Sequence, residues 1–432
     1  MRSFISLYLT NLFLVGGTGL LTTYLALYLT QHDISTFWVG LITSAYYLGL
    51  LSGAKIAYYF IKSVGHIRTF SASTAMVIAC IATHGLSDNI YLWIVLRLLV
   101  GIGMMCNYMV LESWLNEQAE PEHRGRVFSM YMITSYLGMI GGQYTLSQFP
   151  ELGLAPLLLV CIAVSIGIVP IAITRRIHPK PLKPIPIGFI SYFKAIPQSL
   201  TAVFFAGIIN GSFYGLAPVY AKSIGFDTSN IALFMSLTIF AGLLAQWPMG
   251  LLSDKFKRSI LIRINTVFIG AISLVLSINA TAHPLVLFAT FAFGLFAFTL
   301  YPLSSALANS RVNDDERVGV SSALLMAFGV GAGIGSTLLA QLMELMGHQA
   351  LYGAISLLTV VMFSLLTAIN SIQKREKPQQ SDYVVTPSDI TVSPLSATLD
   401  PRIEESIISE QCLEPDKSEQ QEVKDTSNYP QK

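Results

Sequence analysis

The sequence predicts an all-α integral membrane protein: twelve transmembrane helices forming two pseudo-symmetric six-helix bundles. Three observations predict it. Composition is the first: of 432 residues, 53% are hydrophobic and only 12% charged, and mean hydropathy is +0.59, whereas soluble domains carry about 25% charged residues. The second is a recurrence of apolar runs near the roughly 20 residues that a helix needs to cross a bilayer. The third is an internal repeat. A shift of 193 positions carries Gly101, Asn116, Arg124, Ser129, Gly138 and Gly142 onto Gly294, Asn309, Arg317, Ser322, Gly331 and Gly335. A shift of 192 carries Gly19, Leu41, Ser44 and Leu51 onto Gly211, Leu233, Ser236 and Leu243. Six-plus-six parallel repeats are a transporter architecture, with a substrate site near the midplane between the halves.

The spans follow in order. The opening stretch "MRSFISLYLTNLFLVGGTGLLTTYLALYL" is too long for a signal-peptide core and has no small-residue cleavage site, so it reads as span one, 4–29. Apolar runs at 37–60, 68–86, 91–113, 126–149 and 154–174 complete a first bundle, 1–174. The basic, Pro-rich "RRIHPKPLKPIPIGFISYFK" lies in a cytoplasmic linker, 175–197. Runs at 198–221, 229–252, 259–279, 284–308, 318–343 and 348–370 form a second bundle, 198–372, with Tyr301-Pro302 expected to interrupt span ten. The polar, acidic, Pro/Ser-rich 373–432 reads as a disordered cytoplasmic tail.

Charge sets the orientation. If the even-numbered connections and both termini share one side, that side holds Arg2, Lys62, Arg68, Arg124, Arg126, Arg175 to Lys194, Lys255, Lys257, Arg258, Arg311, Arg317 and Lys374 to Lys377. The other side holds only Lys222. By the positive-inside rule both termini are cytoplasmic, in the inner membrane of a bacterium. A net charge of +1 argues against nucleic-acid binding. The four cysteines and seven histidines lack metal-ligand spacing, and no phosphate-cradling Gly-rich loop is present, so neither a metal, a cofactor nor an enzyme activity is expected. The expected partners are the lipid bilayer and a small solute, with an anionic solute and coupling to protons both left open.

Two motifs carry a family resemblance. "RLLVGIG" (Arg97, Gly101, Gly103) resembles the fourth-span motif of the major facilitator superfamily. "GLLSDKFKR", with Asp254, resembles its loop motif, although Lys257 stands where the family prefers Gly. In the first half "YYFIKSVGHIR" matches at Gly65 and Arg68, but Lys62 replaces the Asp. That lysine, with "VLESWLNEQAEPEHRGR", is similar to a poorly characterised bacterial branch, the YcaD-like permeases. The resemblance covers residues 1–372 and implies secondary transport by alternating access, without naming a solute. Drug–proton antiporters of the superfamily carry Gly-Pro in span five; here Gly142 is followed by Gln143, and span one has no acidic residue, so that activity is disfavoured. A membrane receptor that kept the fold and signals through its tail is the rival class.

The candidate pathway starts on "RLLVGIGMMCNYMVLES". At 100° per residue Tyr108, Gly101 and Glu112 fall within about 60° of Arg97, on one face. A charge near the bilayer centre costs at least ~2.5–3.5 kcal/mol, so both ionisable residues require a reason. Arg97 and Glu112 lie about 22 Å apart along the axis and cannot pair. Arg97 has no acidic residue at its depth; its partners are carbonyls, amides such as Gln143 or Asn210, water or a bound anion, and structural and functional readings stand equal. For Glu112 the plainer reading is an ion pair with Arg124, Arg126 or Lys55, and the sharper one a proton carrier. Tyr24 and Tyr28, Tyr46, Asn210 and Tyr214, Gln246 and Tyr301 are polar or aromatic residues within spans that read singly as packing and together as cavity lining.

A cytoplasmic gate is the last expectation. The superfamily places the loop after span two against the start of span eleven, and its counterpart against the start of span five. Here Lys62 would face Asp314, Asp315 and Glu316, while Asp254 would face Arg124 and Arg126. The signs are opposite and both contacts complementary. The plain alternative is that all are solvated positive-inside anchors.

Overall fold

The computed structural model describes residues 2–120, 123–173, 189–279, 284–312 and 316–372. The tail, Asp314, Asp315 and most of the linker lie outside them. Among the described residues there is no strand. The first half comprises α1 (Arg2–Gln31), α2 (Thr36–Val64), α3 (His66–His84), α4 (Ile90–Gln118), α5 (Arg124–Ser147) and α6 (Ala155–Ile173). A short α7 (Phe189–Ala195) precedes α8 (Pro197–Ser223), α9 (Thr228–Lys255), α10 (Arg258–Ile278), α11 (Pro284–Ala297), α12 (Leu300–Asn309), α13 (Arg317–Met346) and α14 (Ala350–Ile372).

The described apolar runs are helical through most of their length, and several helices extend beyond them. Among the described residues nine stretches are long and apolar enough to cross a membrane: α1, α2, α4, α8, α9, α10, α11 with α12, α13 and α14. α6 is apolar but short, and α3 and α5 are diluted by Ser, Thr, Gly and terminal basic residues. Tight connections are built from local chemistry. Ser35, Asn89 and Asp227 cap α2, α4 and α9, each side chain accepting a backbone N–H of the first turn. Gly65, at φ +86°, joins α2 directly to α3 through a conformation that a side chain would strain.

Two details differ from the sequence expectation. The linker includes a helix, α7, whose Tyr192 packs against Gly319 at the start of α13. Span ten breaks at Phe298–Thr299, before Tyr301-Pro302, and Pro302 sits in the first turn of α12. The cause is the missing proline N–H. Pro302 cannot donate to the Phe298 carbonyl four residues back, and Gln246 Nε2 of α9 donates to it instead, at 3.4 Å.

The repeat reappears in the packing. Gly101 of α4 abuts the Tyr46 carbonyl of α2, and Gly294 of α11 abuts the Thr238 carbonyl of α9. Gly138 of α5 meets the Leu12 carbonyl of α1, and Gly331 of α13 meets the Phe204 carbonyl of α8. Gly142 meets Gly16, and Gly335 meets Ile208. Every pair is related by the same shifts of 193 and 192 that relate the sequences. At these crossings a Cβ would collide with backbone, which is why small residues recur there. The two halves are therefore built on one contact plan.

The halves meet chiefly through α2 with α13 and α5 with α9. On the side away from the termini, the Thr36 N–H donates to Glu344 at 2.8 Å, and Gly40 packs on Ser336 and Ala340. Ser44 bonds the Gly333 carbonyl and, at 2.7 Å, the Thr337 hydroxyl. Thr228 donates to the Pro150 carbonyl at 3.3 Å. That side is closed.

Candidate functional site

At the centre of the interface is a cavity of about 30 Å³, room for a water molecule or two. Its first-half wall comes from α1 (Val15, Thr18, Gly19, Thr22, Thr23), α2 (Thr43, Tyr46, Tyr47), α4 (Tyr108) and α5 (Met139, Gln143). The second half contributes Tyr214 of α8 and Ile239 of α9. The first-half wall is thus rich in hydroxyls with one amide, and the second-half wall is aromatic and aliphatic. Gln143 is anchored across the α1–α5 seam, its Nε2 donating to the Thr23 hydroxyl at 3.0 Å and the Gly19 carbonyl at 3.3 Å. Tyr214 directs its hydroxyl at Met139 Sδ, 3.9 Å away, bridging the halves.

Arg97 lies one layer behind this wall. It is 1% exposed. One Nη2 hydrogen goes to the Thr22 hydroxyl at 3.2 Å, and the guanidinium carbon stacks 4.5 Å from the centre of the Tyr46 ring. Both partners line the cavity. A cation–π contact away from water provides about 2 kcal/mol, and a hydrogen bond to a charged group about 1.5–3. These are comparable with the burial cost, yet Arg97 Nε and Nη1 are buried without any hydrogen-bond partner. The residue is held in place without being satisfied.

Glu112, on the same helix face and also fully buried, accepts a hydrogen bond from the Tyr131 hydroxyl of α5 at 3.4 Å. Lys55 and Arg126, two of its expected partners, lie exposed instead. Beside Tyr131, Asn11 of α1 donates to the Ser135 hydroxyl at 2.8 Å and the Thr134 hydroxyl at 3.1 Å. Among the described residues, Arg97 and Glu112 are the only Arg, Lys, Asp or Glu side chains that are buried.

Of the residues expected to line a cavity, Tyr46, Tyr108, Gln143 and Tyr214 come together there. The others do not line it. Tyr24 donates to the Gly153 carbonyl at 3.0 Å, and Tyr28 stacks on His32 and reaches Asp88 at the closed surface. Gln246 bonds Tyr136 and the freed Phe298 carbonyl, Tyr301 packs edge-on to Phe328, and Asn210 is fully buried elsewhere in α8. The threonines of α1 were missed. A signal for them existed in the repeat, because Thr18 and Thr22 stand 192 positions before Asn210 and Tyr214. At the terminal side Lys62, Asp254, Arg126 and Glu316 are exposed, and among the described residues none of them makes an ion pair. Arg124 is half-buried, with Nε unbonded.

The sequence profile of the Major Facilitator Superfamily matches residues 7–336 and, in a second match, 199–404. The uncharacterized MFS-type transporter YcaD of Escherichia coli O6:K15:H31 is 30% identical over 369 residues, covering 85% of this chain and 95% of its own. YcaD of Escherichia coli O9:H4 matches to the same extent. Among solved structures, the nucleoside transporter NupG superposes with a TM-score of 0.73 at 12% identity, covering 87% of this chain and all of its own. The human organic anion transporter MFSD10 gives 0.60 at 15%, covering 84% and 99%. Such low identities show the fold alone. The profile and the bacterial relatives show the family: the chain is a multi-pass membrane transporter of the Major Facilitator Superfamily.

Proposed function

We propose that the protein is a secondary active transporter of the cytoplasmic membrane that moves a small solute by alternating access. In this reading the bodies are 1–174 and 198–372, joined by the 175–197 linker, and both termini are cytoplasmic. The observation that carries it is the cavity between the halves, closed on the far side by the Thr36–Glu344, Ser44–Thr337 and Thr228–Pro150 contacts. Among the described residues of the terminal side, Lys62, Asp254, Arg126 and Glu316 are in contrast exposed, and we read this as an inward-facing state with its cytoplasmic latch open. The coupling group we assign is Glu112, because it is the one buried carboxylate among the described residues and shares its helix face with Arg97. No feature of the described residues favours a receptor.

Spin-label distances in liposomes test this without knowledge of the solute. One pair replaces Thr36 and Glu344, the other Lys62 and Glu316. Two populations are expected, with the first distance lengthening as the second shortens. If both pairs hold one distance, or change together, alternating access is wrong.

A further inference from the structure

We propose that the cavity takes an organic anion with one acidic group and an apolar, ring-bearing body, its acid held by Arg97 in the first half and its body against the second. The proposal rests on the transporter reading above. Its first support is sign. No residue lining the cavity is acidic, and the nearest buried charge, Arg97, is positive. Glu112 is far along the same helix, about 22 Å away. A cation would therefore enter beside a buried positive charge, and a dianion would leave one negative charge unpaired in a dry site; both are costly. A monoanion neutralises the site.

Donor geometry is the second support. Nη2 commits one of its two N–H groups to Thr22, and Nε and Nη1 are unbonded. Whichever way Thr22 takes its hydrogen, one full edge of the guanidinium fork stays available, matching the two oxygens of a carboxylate. The Tyr46 ring now covers the guanidinium from the cavity. Its π face stands where an acid would bind, and a rotation of this half-buried side chain joins the Arg97 recess to the cavity. Tyr46 is thereby the lid of the acid subsite, and the small present volume is that of the lid-closed state.

The third support comes from the repeat. The shifts of 193 and 192 carry Arg97 onto Thr290 and Tyr46 onto Thr238. Those two hydroxyls bond each other at 2.6 Å, fully buried. The same crossing in the second half thus closes with a neutral, satisfied pair, so the fold does not require a charge there. The asymmetry extends to the walls. The threonines and Gln143 all stand on the first-half wall, beside Val15, Met139 and three tyrosines, whereas the second half adds only Ile239 and Tyr214, the latter stacked on Phe298 with ring centres 5.7 Å apart and planes within 8°. This orients the ligand: acid toward α4, ring toward α8 and α9.

The test uses the full chain in lipid nanodiscs and four probes: 3-phenylpropionate, acetate, 3-phenylpropylammonium and 3-phenylpropanol. Equilibrium binding and thermal stabilisation are read for each. We expect saturable binding of 3-phenylpropionate, at least tenfold tighter than acetate, and none of the cation or the alcohol. Arg97→Gln is expected to weaken 3-phenylpropionate at least tenfold, with Arg97→Lys between the two. Ile239→Ala is expected to weaken it at least threefold while leaving acetate unchanged. Equal binding of the cation, no binding of the acid, or unaltered affinity in Arg97→Gln overturns the proposal. If Arg97→Gln fails to fold, the comparison of probe signs on the unaltered protein decides alone. Spin-label distances that still alternate while the acid does not bind would leave the transporter reading standing and remove only the ligand class.

Discussion

Arg97 and Glu112 are fifteen positions apart on α4, and their surroundings assign them different work. Arg97 has donors to spare beside the cavity; Glu112 sits toward the terminal side against Tyr131. Their substitutions are therefore expected to fail differently. Arg97→Ala should abolish solute movement in either direction while membrane abundance stays normal, because Tyr46 and Thr22 close over the vacated space. Arg97→Lys should restore only part, since an ammonium lacks the planar fork. Glu112→Gln should spare solute-for-solute exchange but lose accumulation against a gradient, because an amide of the same shape keeps the Tyr131 contact and carries no proton. Counterflow and uphill uptake in the same vesicles separate these outcomes. Accumulation at the normal level by Glu112→Gln would remove it from coupling.

At the scale of the helices, the glycine crossings define the architecture, and their cost is testable in pairs. A Cβ at Gly101 or Gly294 would collide with the Tyr46 or Thr238 carbonyl, both backbone atoms that cannot step aside. Gly101→Ala and Gly294→Ala should each lower the thermal midpoint in detergent clearly, by a similar amount, because they spread equivalent helix pairs. Gly141 on α5 has no atom within 4 Å of the position a Cβ would take. Gly141→Ala should leave stability unchanged or raise it by about 0.5–1 kcal/mol, the usual helix preference for Ala. Equal loss at all three positions would mean that close approach is not what these glycines provide. The same scale explains the divided span ten, where Gln246 takes up the carbonyl that Pro302 leaves unbonded.

For the whole molecule, the balance of two states lies in contacts that change. The far-side seam is formed here, and Lys62, Asp254, Arg126 and Glu316 of the terminal side are exposed, so substitutions at the latter should act on the other state. Lys62→Asp should favour the inward-facing population, measured by labelling of cytoplasmic-side cysteines, and Asp314→Lys with Asp315→Lys added should restore the balance. Exposed pairs contribute only ~0–1 kcal/mol, but between states of similar energy that shifts the ratio several-fold. A triple variant no closer to the unaltered protein than Lys62→Asp would end the latch proposal.

Composition, span length and the repeat made the architecture legible before any coordinates, because each is a property of the chain that the bilayer enforces. Hydrocarbon demands runs of about 20 apolar residues, and a duplicated contact plan demands small residues at duplicated positions. The pairing of Gly101 with Gly294 and of Gly138 with Gly331 was therefore readable as sequence and returned as packing. The axial rise of the helix also separated Arg97 from Glu112, since that geometry is internal to one helix. Cavity lining was not readable in the same way. Tyr24 and Tyr28 carry the same phenol within a span as Tyr46, yet they turn to Gly153 and Asp88 at the closed surface. The neutral-looking Thr18, Thr22 and Thr23 face the centre instead. Which face of α1 looks inward depends on how α5 and α6 pack on its other sides, and no period in α1 alone encodes that. Only the tertiary structure placed Tyr46 over Arg97 and set two threonines at the matching crossing of the other half, because both facts require residues from separate helices to meet.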